Sequence, residues 1–289
     1  MTDTPWIIAP DPAAPGLTRP VTGRDHTGAE VETRVVEERP LTLFLNRREI
    51  VTMMTVGDRP RELAVGYLVN QGMLAPGEVP TAVEHDAETE TVVVRTAVET
   101  DFEAKMARRI RTSGCAVGTV FGDVMESLEG LSLPPAALRV SDLMAVSRMI
   151  QATPSLYLEA GAIHGTALCR GREGLVYMED VGRHNAVDKI AGWMRLEGVS
   201  GGDKLLYTTG RLTSEMVIKT ALMGIPALAS RSGFTAWGVE LARQTGLTLI
   251  GRLKGSRFLC LSGEARLVRD VAVQDRGEDP RHRRKGAEA

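Results

Sequence analysis

The hydrophobic positions along the chain fall into two rhythms. In the first third, apolar residues cluster in short runs at 31–36, 41–45, 50–55 and 91–96, with the length and β-branched content of strands. One stretch breaks the pattern: Leu63, Ala64, Tyr67 and Leu68 recur at helical spacing and predict a helix over 61–70. A basic, helix-like stretch follows at 102–111. From residue 141 onward strand and helix alternate. Helices are predicted over 141–151, 183–196, 212–222 and 235–244, with strands at 163–169, 175–178, 204–207, 227–229, 247–250 and 258–261. Ser141 stands where an N-cap belongs. Strands separated by helices of about a dozen residues predict a layered α/β sheet with mostly parallel neighbours.

The ends read differently. Five of the 14 prolines are Pro5, Pro10, Pro12, Pro15 and Pro20, a density that prevents a regular helix and predicts a loose N-terminal arm over 1–29. The last residues, 272–289, are almost wholly polar, with Arg281, Arg283, Arg284 and Lys285 forming a basic cluster expected to be a solvated tail. Between the tails we expect an N-terminal α/β domain over 30–133 and a larger domain over 134–271, beginning at the Pro134-Pro135 break.

Composition narrows the function classes. A chain of 289 residues with 43% apolar and 25% charged residues can bury a sizeable core. A formal net charge of −2 asks for neither nucleic acid nor an anionic membrane. The start lacks a basic segment followed by an apolar one, and no run of about 18 apolar residues occurs, so the expectation is a cytoplasmic protein. Three cysteines, Cys115, Cys169 and Cys260, are too few for a disulfide framework.

Three strand-to-helix junctions carry the candidate chemistry. They are Glu179-Asp180-Val181-Gly182-Arg183-His184-Asn185, Thr208-Thr209-Gly210-Arg211-Leu212-Thr213-Ser214 and Ser230-Arg231-Ser232-Gly233-Phe234-Thr235. Each combines a glycine and an arginine at the start of a helix, where unpaired N–H groups and the helix dipole attract anions. In a parallel sheet such junctions share the carboxyl edge, where ligands of α/β folds bind. Taken singly, each junction is better explained by ordinary capping through Asp180, Thr209 or Ser230. The three together favour a phosphate or pyrophosphate ligand. Neither a Gly-x-Gly-x-x-Gly fingerprint nor a P-loop is present, which argues against a Rossmann dehydrogenase or a P-loop ATPase.

His184 and Asp188 fall on one helix face, with Asp180 a turn earlier; the set serves either a general base or a capping and ion-pair arrangement. His164 is followed by Gly165-Thr166, so the zinc nucleobase-deaminase signature is missing, and no His/Cys cluster has metal-ligand spacing. No metal site is expected. Cys115, between Gly114 and Gly118 and just after Lys105, Arg108, Arg109 and Arg111, reads as a reactive thiol on a flexible loop. Cys169 and Cys260 lie inside apolar strands and read as inert.

These motifs resemble the FdhD family, the sulfurtransferases or sulfur carriers needed for formate dehydrogenase activity. The likeness is densest at Met178-Glu179-Asp180-Val181-Gly182-Arg183-His184-Asn185-Ala186-Val187-Asp188-Lys189. It continues through Thr209-Gly210-Arg211-Leu212-Thr213-Ser214-Glu215 and Gly224-Ile225-Pro226-Ala227-Leu228-Ala229-Ser230-Arg231-Ser232, and includes Arg39-Pro40-Leu41-Thr42-Leu43-Phe44-Leu45-Asn46. The resemblance implies a cytidine deaminase-like three-layer larger domain without the deaminase zinc, and a homodimer. It implies that a cysteine desulfurase supplies persulfide sulfur, which passes to the molybdenum bis(molybdopterin guanine dinucleotide) cofactor for formate dehydrogenase. By position, Cys115 matches the first cysteine of the family's Cys-x-x-Cys loop and would carry the persulfide. Gly118 stands where the second cysteine is common, so a relay here runs on one thiol. The segment Arg252, Leu253, Lys254, Gly255, Ser256 and Arg257 matches the family's cofactor segment, with Lys254 and Arg257 able to neutralise phosphate charge. Arg183, His184, Asn185, Thr209, Gly210, Arg211, Ser230, Arg231 and Ser232 complete the expected cofactor site, which a guanine nucleotide would also occupy.

Overall fold

The computed structural model describes residues 6–97, 109–111, 119–121, 128 and 130–272. In chain order its elements begin with β1 (Ile7–Ala9), β2 (Thr18–Arg24), β3 (Glu30–Val36), β4 (Arg39–Leu45), β5 (Arg48–Thr55), α1 (Pro60–Asn70), β6 (Ala82–Asp86) and β7 (Thr91–Arg95). Short strands β8 (Arg109–Arg111), β9 (Thr119–Phe121) and β10 (Leu138–Arg139) precede α2 (Val140–Ala152), α3 (Leu156–Ala160), β11 (His164–Arg170) and β12 (Glu173–Asp180). The alternating part follows: α4 (Arg183–Leu196), β13 (Leu205–Thr208), α5 (Ser214–Leu222), β14 (Ala227–Ser230), α6 (Ala236–Gln244), β15 (Thr248–Lys254), β16 (Arg257–Ser262) and β17 (Leu267–Val268).

Seven strands form the main sheet in the order β1-β12-β11-β13-β14-β15-β16. The sheet is mixed rather than mostly parallel: β1–β12, β13–β14 and β14–β15 pair parallel, whereas β11–β12, β11–β13 and β15–β16 pair antiparallel. The cause is local. A helix joins each parallel neighbour from β13 to β15, but β11–β12 and β15–β16 are hairpins closed by two-residue turns at Gly171 and Gly255, both at positive φ.

Strand alternation builds two core layers. Leu168, Val176, Met178, Leu206, Leu228 and Leu249 face α4, α5 and α6 on one side. Ala167, Cys169, Tyr177, Tyr207 and Ala229 face Leu143 and Val146 of α2 on the other. A second sheet, ordered β5-β4-β7-β6, joins the first layer through Leu41, Leu43, Leu45, Met53, Val92 and Val94. One apolar cluster thus runs from the N-terminal sheet through α1 and α4 to the main sheet.

Three expectations need correction. The segment 1–29 is not loose where it is described: β1 adds an edge strand beside β12, and β2 forms a hairpin with β3. Prolines exclude a helix, not an edge strand, and Trp6 anchors this strand against Tyr177 with ring centroids 5.7 Å apart. Residues 109–111, expected to end a basic helix, pair as strand β8 with β9. Ser141 does not cap α2; the N-cap is Arg139. The Asp270 carboxylate, from beyond β17, instead accepts from Ser141 N (3.0 Å) and Ser141 Oγ (2.6 Å).

Candidate functional site

Although the sheet is mixed, β12, β13, β14 and β15 all run in one direction. All three junctions therefore lie on one carboxyl edge, as expected, and β11 starts there with His164 paired across from Asp180. The hairpin carrying Arg252, Lys254, Gly255, Ser256 and Arg257 ends on the same edge, tied to the third junction by Arg252 N donating to Ser232 O (2.7 Å). Leu253 differs from its neighbours: its side chain is buried in the second core layer and anchors the hairpin from below.

Short hydroxyls and a carboxylate shape the turns. Asp180 Oδ1 accepts from Gly182 N (3.2 Å), Thr208 Oγ1 from Gly210 N (3.1 Å) and Ser230 Oγ from Ser232 N (2.9 Å). Ser230 Oγ also donates to Gly210 O at 2.6 Å, which locks the second junction to the third. The capping hydroxyl of the second junction is thus Thr208. Thr209 turns instead toward β11, accepting from Gly165 N (3.1 Å) and lying 3.3 Å from His164 Nδ1. Asn185 uses its amide on Met54 O (2.8 Å) and Asp180 Oδ1 (3.0 Å), holding β5 against the first junction.

Positive charge gathers on this framework. Arg183 packs against Gly210, where an added Cβ would come within 3.0 Å of the arginine side chain, and its buried Nε and Nη2 have no hydrogen-bond partner among the described residues. A buried guanidinium without an acceptor is costly unless an anion completes it. Arg231 lies 4.8 Å over the Tyr157 ring and donates to Tyr157 Oη at 2.6 Å. A cleft of about 220 Å³ opens here, lined by Tyr157, His164, Val181, Thr209 and Arg231. Burial, with Arg183, His184, Arg211 and Arg231 nearby, holds the His164 imidazole below its ordinary pKa, favouring the neutral form.

His184 has a carboxylate partner, but not Asp188. Its Nε2 lies 3.0 Å from Glu215 Oε2, while Asp188 turns to Lys219 Nζ (2.7 and 2.8 Å) and Asn70 Nδ2 (2.7 Å). Burial lowers the His184 pKa despite Glu215. Glu215 responds in the opposite sense. Burial pushes its carboxyl up, and the pairing with His184, reinforced by Lys219 and Arg183, brings it below the ordinary range.

Beneath the edge sits a buried polar layer that motif reading left unassigned. Lys189, fully buried, contacts Asp180 Oδ2 (2.7 Å), Asp58 and Glu179 O (2.9 Å). Thr55 Oγ1 donates to the same Asp180 oxygen at 2.5 Å. The buried Glu179 carboxylate accepts from Leu156 N (2.7 Å), Tyr157 N (3.3 Å) and Tyr177 Oη (3.0 Å), so it holds the start of α3 and with it the Tyr157 wall of the cleft. The sequence assigns Tyr157 and Glu215 no role at the site, because the partner of Tyr157, Arg231, is 74 residues away and Glu215 meets His184 across a helix interface. His164, which lacks the zinc-deaminase signature around it, lines the cleft.

Cys115 and Gly118 lie outside the described residues. Cys169 is buried with its thiol pushed up to about 12 by burial, and Cys260 is half-buried and shifted the same way, as expected of inert thiols.

Residues 36–268 match the profile of the FdhD/NarQ family. The chain belongs to this family. Among FdhD relatives, the sulfur carrier protein FdhD of Wolinella succinogenes is 27% identical over 250 residues, covering 86% of this chain and 87% of the relative. The sulfur carrier protein FdhD of Listeria innocua is 30% identical over 250 residues, covering 84% of this chain and 94% of the relative. A crystal structure described as a formate dehydrogenase accessory protein from Desulfotalea psychrophila superposes with a TM-score of 0.71 at 27% identity, over 87% of this chain and 98% of the other. The FdhD/NarQ match spans the β5-β4-β7-β6 sheet, the main sheet apart from its edge strand β1, and all three junctions.

Proposed function

We propose that the protein is a cytoplasmic, homodimeric sulfur carrier with a cytidine deaminase-like larger domain. It takes persulfide sulfur from a cysteine desulfurase onto Cys115 and passes it to the molybdenum bis(molybdopterin guanine dinucleotide) cofactor destined for formate dehydrogenase. The observation that carries this reading is the buried edge of Arg183, without a hydrogen-bond partner among the described residues, beside a cleft walled by Arg231, His164 and Thr209. A pyrophosphate-bearing substrate supplies the missing acceptors. The names of the relatives support the sulfur half of the reading.

Sulfur uptake needs only one thiol. The Cys115 thiolate attacks the terminal sulfur of the donor persulfide, a new S–S bond forms, the donor's own S–S bond breaks, and the donor leaves as a thiolate. Gly118 is therefore compatible with the relay. It also keeps alive a second reading, a chaperone that binds the cofactor without moving sulfur, because no second loop thiol is there to release the sulfur as a disulfide forms.

Incubation with a cysteine desulfurase and cysteine should add the mass of one sulfur atom, mapped to Cys115 and removed by reductant. A protein that binds the cofactor yet gains no mass is the chaperone. Separately, Arg183→Leu should weaken binding of guanosine diphosphate by roughly ten- to a hundredfold, the usual worth of a charge-assisted pair. Unchanged affinity by calorimetry would remove Arg183 from the site.

A further inference from the structure

His164 sits where the cleft, the first two junctions and the start of β11 meet. The groups that face it come from every neighbouring element. Asp180 is its cross-strand partner on β12, with its oxygens already engaged by Thr55, Lys189, Gly182 and Asn185. Arg183 and His184 approach from the start of α4, His184 being paired with Glu215 of α5. Thr209 and Arg211 approach from the second junction, Arg231 from the third, and the Tyr157 hydroxyl stands across the cleft on the Arg231 side. The free site is thus a neutral imidazole surrounded by guanidinium groups, and two nitrogens of one of them, Arg183 Nε and Nη2, have no acceptor among the described residues.

We propose that His164 takes up a proton when a diphosphate-bearing substrate enters the cleft, becoming a charged donor to it and making recognition proton-linked. The inference rests on the reading of this edge as the cofactor site, and adds to it a specific residue and a regulation. An arriving diphosphate engages Arg183 and Arg231 and puts negative charge beside the imidazole. The same surroundings that disfavour the imidazolium in the free protein then favour it. The His164 pKa is low in the free protein and higher in the complex, so affinity is greatest in acid and falls as pH rises between those two values. A neutral ligand of the same shape gains nothing from this residue.

The test uses guanosine diphosphate mannose. Both its phosphates are diesters in character and hold constant charge between about pH 5 and pH 8, so any slope belongs to the protein. Calorimetry in buffers of different ionisation enthalpy counts the protons taken up on binding. Wild type should take up a fraction of one proton near neutrality and bind roughly tenfold more weakly at about pH 8 than at about pH 5.5. His164→Gln should still bind at alkaline pH but lose both the uptake and the slope. The imidazole resonance missing from that variant should titrate at higher pH in wild type with ligand than without it. Binding without proton uptake, or uptake that survives in His164→Gln, overturns the inference and leaves the site reading intact. Absence of binding at every pH overturns both.

Discussion

Replacing Lys189 with alanine should cost the fold about 3–5 kcal/mol, the usual penalty for removing one partner of a buried ionic group. The Lys189 side chain is fully buried, and its three N–H bonds are matched by Asp180, Asp58 and the Glu179 carbonyl. Without the ammonium, two carboxylates face each other in a dry interior. Burial already pushes the Asp58 carboxyl up with Lys189 in place. In the variant one of the two should take a proton, its native pKa lying above the unfolded value. A group shifted that way stabilises below the unfolded pKa and loses its contribution as pH rises through the native one. The deficit of Lys189→Ala should therefore be smaller at about pH 5 than at about pH 8. Adding Asp58→Asn to Lys189→Met should recover part of the loss by removing the second charge. Denaturant midpoints at both pH values measure this. A loss below about 1 kcal/mol with no pH dependence would mean that the pairing contributes little net energy.

The consequence reaches the site, because Asp180 connects Lys189 to the first junction. Its other oxygen orders Gly182 and Asn185, the residues flanking Arg183 and His184. A charge defect under the sheet should therefore loosen the cradle above it, and ligand affinity should fall together with stability. Arg183→Leu, in contrast, removes the ligand contact and leaves the buried layer intact. The two variants separate support from recognition.

What could be read from the sequence follows a physical division. The helices at Pro60–Asn70, Arg183–Leu196, Ser214–Leu222 and Ala236–Gln244 lie within two residues of their predicted starts, because apolar periodicity is a local signal. The three junctions share one edge because helical crossovers set the strand directions. Pairing over long distances was not legible. Nothing in Ile7–Ala9 announces that it lies beside β12, and no spacing rule connects Asp58 to Lys189 or His184 to Glu215. The Asp188–His184 spacing pointed to a pair on one helix face. Tertiary packing gave each residue a different partner, since α5 offered both a lysine and a glutamate across the α4–α5 contact. Leu253 belongs to the matched cofactor segment, yet a strand alternates faces, and its side chain goes inward.

Gly66→Ala and Gly192→Ala should each destabilise the protein, although helix propensity alone favours alanine by roughly 1 kcal/mol. Helices α1 and α4 touch backbone to backbone. A Cβ on Gly66 would lie 1.7 Å from Asp188 O, and one on Gly192 would lie 1.8 Å from Glu62 O. Carbonyl oxygens of a helix cannot rotate aside as a flexible side chain can, so the two helices must move apart. Overpacking of that kind costs typically about 1–3 kcal/mol, and these contacts belong at or above the upper end because the obstacle is main chain. The movement also strains the Asn70–Asp188 hydrogen bond, which bridges the same two helices at 2.7 Å. Once one alanine has forced the helices apart, the second meets less resistance. The double variant should lose clearly less than the sum of the singles, a coupling readable in a double-mutant cycle of denaturant midpoints. Additive losses would mean two independent local defects, and a gain in either single variant would show that the helices tolerate a wider spacing. The expected subadditive result identifies α1 and α4 as one rigid joint. That joint fixes the N-terminal sheet against the helix whose first turn carries Arg183 and His184.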